Sequence, residues 1–374
     1  MSAIILSASR HAPSMATLIS QAAQHAVEAD QTGNMNSAVI DALRLSDVIK
    51  HFVEPLYGGG PGDFTSITRT ISDLAHACPA TAWLASVSAY NARFAGFLPE
   101  QGRHDIWGDA NSVFIASGLV PSGQAELTDT GSYRVSGTWR YVSGVESADW
   151  VLLVATTQPA AGPPGPYLYA VPRHQVTVQS SWNSLGMRAT ASHTVVANDL
   201  EVPAHRATSH RGVLAGTPSA NCPDGIAHTT PLLALGGLTF LAPAYGAADE
   251  LAALLTRRAV QQASSTGKPI PESVSLALGR ATAAIDATHQ LIGAITADLD
   301  TGSGRTRPAV NAQRAAYAAT LLRDAMNTLM PIIGTGNLAE YTDIQRLWRD
   351  VTVAVSHAAL DMTRATAAFI GSLK

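Results

Sequence analysis

Cysteine is nearly absent: Cys78 and Cys222 are the only two in 374 residues. That excludes a disulfide framework and a thiolate metal cluster. Charge is also sparse, at 14% Asp, Glu, Lys and Arg with a net value of −4. No basic footprint exists for nucleic acid or an anionic membrane surface, so neither is expected as a partner. The histidines are scattered, with no H-E-x-x-H and no C-x-x-C, and no metal is expected. A G-x-S-x-G elbow, a P-loop and a dinucleotide-binding glycine fingerprint are all missing. "GGGPG" at 58–62 ends without a Lys-Ser or Lys-Thr and reads as a turn. The opening "MSAIILSASRH" carries no basic n-region, so no signal peptide is expected. No uninterrupted apolar run approaches the roughly 20 residues a bilayer span needs. These absences lead to the expectation of a cytoplasmic protein.

What is present is apolar and patterned. A hydrophobic content of 46% in a chain this long allows a sizeable core, and suggests surface hidden in an oligomer. Residues 1–115 read as helical. "PSMATLISQAAQHAVEAD" places Met15, Leu18, Ile19, Ala22 and Val27 near a 3.6-residue period, and Ile67, Ile71 and Leu74 form a second stripe. Texture changes near residue 112. "GSYRVSGTWRYVSGVESADWVLLVATT", "YLYAVPRHQVTVQ" and "HTVVANDLEVP" are short alternating or β-branched runs, with "QPAAGPPGP" as a hairpin tip. Residues 205–228 read as a long surface loop able to act as a cover. From about 229 the helical pattern returns to the end. The expected class is α+β: a helical region 1–115, a β-domain 116–213 and a helical bundle 214–374.

Two stretches invite a chemical reading. "DIQRLWRDVTVAVSHAALD" (343–361) reads as one helix, with Ile344, Leu347, Val351, Val355 and Met362 on an apolar stripe and Trp348 beside it. Arg346, Asp350, Val353, His357, Asp361 and Arg364 then share a polar stripe. That stripe is either a solvated charged face or a setting in which Asp361, four residues on, orients the His357 imidazole. In "WRYVSGVESADW", strand alternation puts Trp139, Tyr141 and Ser143 on one face. The face is either ordinary sheet core or a platform for a planar ligand.

Taken in order, four segments resemble the acyl-CoA dehydrogenase fold, and more closely its oxygenase branch, the group D two-component flavin-dependent monooxygenases. They are "PATAWLASVSAYNARFAGFLPEQGRHDIWG", "VSGTWRYVSGVESADWVLLVA", "WNSLGMRATASHTVVANDLEVP" and "IIGTGNLAEYTDIQRLWRDVTVAVSHAALD". The second is similar to the flavin-contacting strand and the third to the G-M-R-x-T-x-S segment. The resemblance implies an N-terminal helical domain, a central β-barrel-like domain and a C-terminal four-helix bundle that assembles a homotetramer. Common acyl-CoA dehydrogenases carry a catalytic glutamate shortly after the Arg349-Asp350 pair. Here the local residues are Ser356, His357, Ala358 and Ala359, so no carboxylate is at hand to remove an α-proton.

The implied activity is oxygenation of a small organic substrate, aromatic or a natural product. A flavin reductase would supply reduced FMN; O₂ would form a flavin hydroperoxide. FMN is expected over FAD because "QQASSTGKPI" holds Thr266-Gly267 without the preceding pyrophosphate-binding arginine, although FAD is a possible cofactor. By resemblance His357, Ser143 and Tyr90 belong to the reacting centre. Trp139, Tyr141, Ser143, Arg188, Ser192 and Asn337 would hold the flavin, and Tyr90, Asn91 and Ser117 would face the substrate. Tyr90-Asn91 stands where the phenol hydroxylases of this group have His-Asn, so a phenolic substrate is not implied. Oxidation at nitrogen or sulfur is an alternative. So are an acyl-CoA dehydrogenase-type enzyme with a relocated base and a catalytically silent binding protein that kept the fold.

Overall fold

The structure is a computed structural model that describes residues 15–60, 62–109, 112–158, 164–339 and 342–373. Five helices lead: α1 (Met15–Thr32), α2 (Ser37–Leu45), α3 (Phe64–Ala77), α4 (Pro79–Ala95) and α5 (Glu100–Trp107). The expected stripe on α1 holds for Leu18 and Ala22, continuing through Ala26 and Ala29, whereas Val27 lies outside it and is exposed. Ile67, Ile71 and Leu74 are buried as expected. Cys78 is extended and Pro79 starts a new helix, so α3 and α4 are separate. Proline at the first helical position lacks an N–H that would have been unpaired there anyway. α4 is buried along its whole length, which makes it the spine against which other parts pack.

Seven strands follow: β1 (Ile115–Leu127), β2 (Tyr133–Val142), β3 (Trp150–Thr157), β4 (Gly165–Pro172), β5 (Thr177–Gln179), β6 (His193–Val202) and β7 (Ala207–Ser209). They form one mixed sheet in the order β5-β6-β2-β1-β3-β4-β7; among the described residues only β1 and β3 pair in parallel. β3 and β4 make the expected antiparallel hairpin. Its tip, 159–163, and the opening eleven residues lie outside the described residues.

The 205–228 segment, expected as a long surface loop, has secondary structure of its own. It contains β7, α6 (His210–Ala215) and α7 (Ile226–Thr229), and it is tied inward. Arg93 donates from Nε to Ala227 O and from Nη2 to Thr230 O, and Arg103 donates to Asn221 O at 2.7 Å. Buried guanidinium groups seek carbonyls, and two of them hold this segment down.

The rest is helical: α8 (Leu238–Thr266), α9 (Glu272–Asp300), α10 (Pro308–Leu329), α11 (Asp343–Ala354) and α12 (Met362–Gly371). Leu232–Thr266 is long and apolar enough to pass for a bilayer span, but 67% of its apolar window is buried inside the protein, as a core helix would be. Pro243 sits inside α8 and cannot donate to the carbonyl of Thr239. Ser86 on α4 takes that carbonyl instead, at 2.7 Å, which ties the start of α8 to the spine.

Candidate active site

The site lies where α4, the end of β2, the turn before β6, the start of α8 and the turn after α11 converge. The last of these is a correction. The segment 343–361 is not one helix: α11 stops at Ala354, and His357 lies in an extended turn before a short 3-10 turn and α12. The helical-wheel pairing of His357 with Asp361 therefore does not form. Asp361 caps α12 by accepting from the Arg364 N–H at 2.8 Å. His357 Nδ1 accepts from the Ala359 N–H at 3.2 Å. An acceptor nitrogen carries no proton, so in the neutral ring the proton sits on Nε2. The tautomer is set by a backbone amide rather than a carboxylate.

His357 stacks on Phe240, with ring centroids 3.5 Å apart and planes 26° apart, and meets Trp83 edge-on at 5.9 Å. Burial against these rings pushes its pKa down to about 4. At neutral pH it is an uncharged imidazole offering an Nε2–H.

From Trp83 a chain of hydroxyls begins. Its indole N–H donates to Ser143 Oγ at 3.1 Å. Ser143 Oγ and Ser192 Oγ are 2.8 Å apart, Ser192 Oγ and Thr190 Oγ1 are 2.8 Å apart, and Thr190 Oγ1 donates to Met187 O at 2.8 Å. Each hydroxyl has one proton. Because Thr190 spends its proton on Met187 O, it accepts from Ser192, and Ser192 in turn accepts from Ser143. The direction is fixed throughout. Ser143 Oγ is left with one lone pair to accept a further hydrogen bond.

The backbone around this chain is unusual. Met187 and Ala191 have φ of +54° and +42°, which side-chain-bearing residues rarely adopt. Asp350 holds Met187 there by accepting its N–H at 2.5 Å. The polar stripe on α11 is thus not a solvated face: Arg346 and Asp350 are 6% and 4% exposed. Burial raises the Asp350 pKa to about 6, opposed by Arg346 and the Met187 N–H. Arg349 donates to Leu185 O at 2.7 Å and pairs with Asp30. Gly186 packs straight onto α11; a Cβ there would sit 2.7 Å from the Asp350 backbone nitrogen. The Arg349-Asp350 pair clamps the "GMR" turn and α1 to the C-terminal helices.

The common face expected of Trp139, Tyr141 and Ser143 is overturned by a bulge. Register between β2 and β6 shifts after Trp139, and Tyr141 has φ of +63°. Trp139 is 1% exposed and donates to Val154 O at 2.8 Å. A Cβ would meet its indole at 2.9 Å from Gly118 and at 2.7 Å from Gly137, so those glycines make its slot. Tyr141 is 71% exposed beside Trp182. Ser143, just past the strand, turns into the site.

Of the other candidates, Ser192 belongs to the hydroxyl chain. Asn91 and Ser117 are brought together: Ser117 Oγ donates to Asn91 Oδ1 at 2.8 Å, while Asn91 Nδ2 donates to Ile115 O at 2.9 Å. Tyr90 packs on Phe52, with its hydroxyl buried and without a partner among the described residues. Arg188 donates to Ser184 O at 3.3 Å, and Asn337 is held by Arg258 and by Ile333 O. Neither touches the hydroxyl chain. Sequence reasoning missed Trp83, Phe240 and Thr190. Only the seven-residue spacing of Trp83 and Tyr90 on α4, two helical turns on one face, hinted at the first.

Residues 238–362 match the model of the acyl-CoA dehydrogenase C-terminal domain. The chain as a whole has the acyl-CoA dehydrogenase fold, and the relatives it is similar to along that length are named as hydroxylases and flavin-dependent monooxygenases. It is 29% identical over 367 residues to the pigment production hydroxylase of Rhodococcus sp. (strain ATCC 21145), spanning 93% of this chain and 92% of that one. It is 26% identical to the FADH(2)-dependent resorcinol hydroxylase, oxygenase component, of Rhizobium sp. (strain MTP-10005), over 93% and 89% of the two chains. Among solved structures, XiaF from Streptomyces sp. in complex with FADH2 and glycerol superposes with a TM-score of 0.84 at 27% identity, over 96% and 95% of the chains.

Proposed function

We propose that this protein is the oxygenase component of a two-component flavin-dependent monooxygenase acting on a small aromatic substrate. The observation that carries the reading is the donor set at the site. Ser143 has a lone pair directed by the hydroxyl chain, a neutral His357 offers Nε2–H, and no carboxylate among the described residues takes the position of a dehydrogenase base. Such a set fits the polar edge of a reduced isoalloxazine ring, whose N5–H is a donor that Ser143 is able to accept. When bound, reduced flavin would supply the two electrons that divide O₂ between a hydroxylated product and water.

The chain's own residues hold and shield. Ser143 would accept from the flavin edge, and the Trp83–Ser192–Thr190 chain would keep that serine from turning its proton toward it. His357, uncharged, donates to oxygen without delivering a free proton. Phe240 and Trp83 keep water away from the reacting atoms. Tyr90, Asn91 and Ser117 line the substrate side, and the clamped 205–230 segment covers it.

Reduced FMN or FAD reaches this site from a separate reductase. The missing arginine before Thr266-Gly267 favours FMN, while the similar resorcinol hydroxylase is named for FADH2; equilibrium binding of both reduced flavins ranks them. The outward apolar side chains Val260, Leu276 and Tyr317 support a homotetramer built through α8–α10, and light scattering at micromolar concentration checks it. Anaerobic titration tests the central claim: reduced flavin is expected to bind more tightly than oxidised flavin. Equal affinity, together with no product in the presence of a reductase and O₂, overturns it.

A further inference from the structure

Four arginines among the described residues are buried, and three have a carboxylate partner. Arg103 pairs with Glu54 at 2.6 Å, Arg346 with Asp343 at 2.9 Å, and Arg349 with Asp30 at 2.5 Å. Arg93 is the exception. It is 0% exposed, its Nε and Nη2 reach carbonyls of residues 227 and 230, and its Nη1 has no partner. Burying a guanidinium without an anion is costly, so its neighbourhood matters.

That neighbourhood contains two more unpartnered polar atoms. Tyr90 is one turn earlier on the same side of α4, 2% exposed, and its hydroxyl makes no hydrogen bond to the described residues. His228 follows Ala227, which Arg93 holds; it is 6% exposed and its Nε2 is likewise unpartnered. Its ring edge lies against Gly96 at the end of α4, where a Cβ would collide with Nε2 and Cδ2. Burial and the two neighbouring arginine charges push its pKa down to about 3, so it is uncharged and able to donate. Burial also holds the Tyr90 phenol protonated, well above its ordinary value. Three neighbouring buried groups, one a fixed cation and two neutral, therefore have hydrogen-bonding capacity unspent and no acid to satisfy them.

We propose that Arg93, Tyr90 and His228 form a buried binding site for a carboxylate group. A carboxylate matches the set: two oxygens with about four lone-pair positions accept from the guanidinium Nη1, the phenol and the imidazole, and its charge balances that of Arg93. Arg93 lies ten residues along α4 from Trp83, about 15 Å at the helical rise. On the monooxygenase reading, the substrate is then an aromatic acid, anchored at Arg93 while its ring approaches Ser143 and His357. Entry requires opening of the segment that Arg93 itself holds, so ligand binding and closure of that segment are coupled.

The carboxylate site is tested without flavin, so its outcome is separate from that of the monooxygenase reading. Wild-type protein is titrated with sodium benzoate and, in parallel, with benzamide at matched ionic strength, following thermal melting and calorimetry. Benzoate is expected to raise the melting temperature saturably and benzamide to leave it unchanged. Arg93→Gln is expected to weaken benzoate binding by roughly tenfold to hundredfold, and Tyr90→Phe by a smaller factor. If Arg93→Gln does not fold, Tyr90→Phe and the wild-type contrast still decide. Equal effects of the two ligands, no effect of benzoate, or undiminished binding in the variants each overturn the proposal.

Discussion

Arg349 and Asp30, 319 residues apart in the chain, form a two-point ion pair: Nη1 lies 3.1 Å from Oδ1 and Nη2 lies 2.5 Å from Oδ2. Both are buried, and the same guanidinium bonds Leu185 O and Gln345 Oε1. One side chain thus joins α1, the turn before β6 and α11. Removing one partner leaves the other charge buried and unpaired, which costs about 3–5 kcal/mol. Asp30→Ala is expected to lower stability by that order in chemical denaturation. Gly186→Ala should act on the same junction, because its Cβ meets the α11 backbone, and cost about 1–3 kcal/mol. A change under half a kcal/mol in either would show the junction to be slack.

The His357 and Asp361 variants separate two roles that the sequence merged. His357→Ala is expected to lower substrate turnover about 10²-fold or more, with hydrogen peroxide appearing in place of product. Asp361→Ala removes a helix cap, costs about 1 kcal/mol and leaves the ratio of product to NADH consumed unchanged. The measurement is that ratio, with a reductase present. Loss of coupling in the Asp361 variant would restore the carboxylate–imidazole pairing that the fold rejects.

The hydroxyl chain predicts a graded series. Thr190→Val deletes the step that fixes its direction and leaves Ser192 free to turn its proton elsewhere. Reduced-flavin affinity should fall, and stability should drop by about 1–3 kcal/mol for the polar atoms left unpaired. Thr190→Ser should restore both. Ser143→Ala should abolish the preference for reduced over oxidised flavin and lower stability by about 1–3 kcal/mol, because the Trp83 N–H loses its acceptor.

Acid stability follows from His357. Its pKa falls from 6.5 in the unfolded chain to about 4 in the fold. As pH drops through 6.5 the unfolded chain takes up a proton that the folded one refuses. Stability is therefore lost between about 6.5 and 4, by about 1.4 kcal/mol per pH unit for this one proton. Asp350 works in the opposite sense: its folded pKa of about 6 makes the fold bind a proton first. His357→Phe keeps an aromatic ring against Phe240, and is expected to flatten the acid limb of denaturation profiles relative to wild type. An unchanged slope would mean that the imidazole titrates as in water.

The sequence by itself determined the order of helices, sheet and helices, because 3.6-residue and two-residue periodicities are local and survive in one dimension. It determined that Ile344, Leu347, Val351 and Val355 turn inward, and its motifs and family resemblance singled out Ser143, Ser192 and His357, which tertiary structure then links through Trp83. Only the folded chain decided their chemistry. A bulge at Tyr141 redirected a face that simple alternation had assigned, since register depends on the partner strand. The break after Ala354 moved His357 off the helix, and its tautomer and neutrality come from a backbone amide and two aromatic rings. Asp350, which looked solvated on its helix, is buried because its partner, the Met187 amide, arrives from 163 residues away. No pattern within a single helix carries that information: burial and hydrogen bonding are properties of what packs alongside.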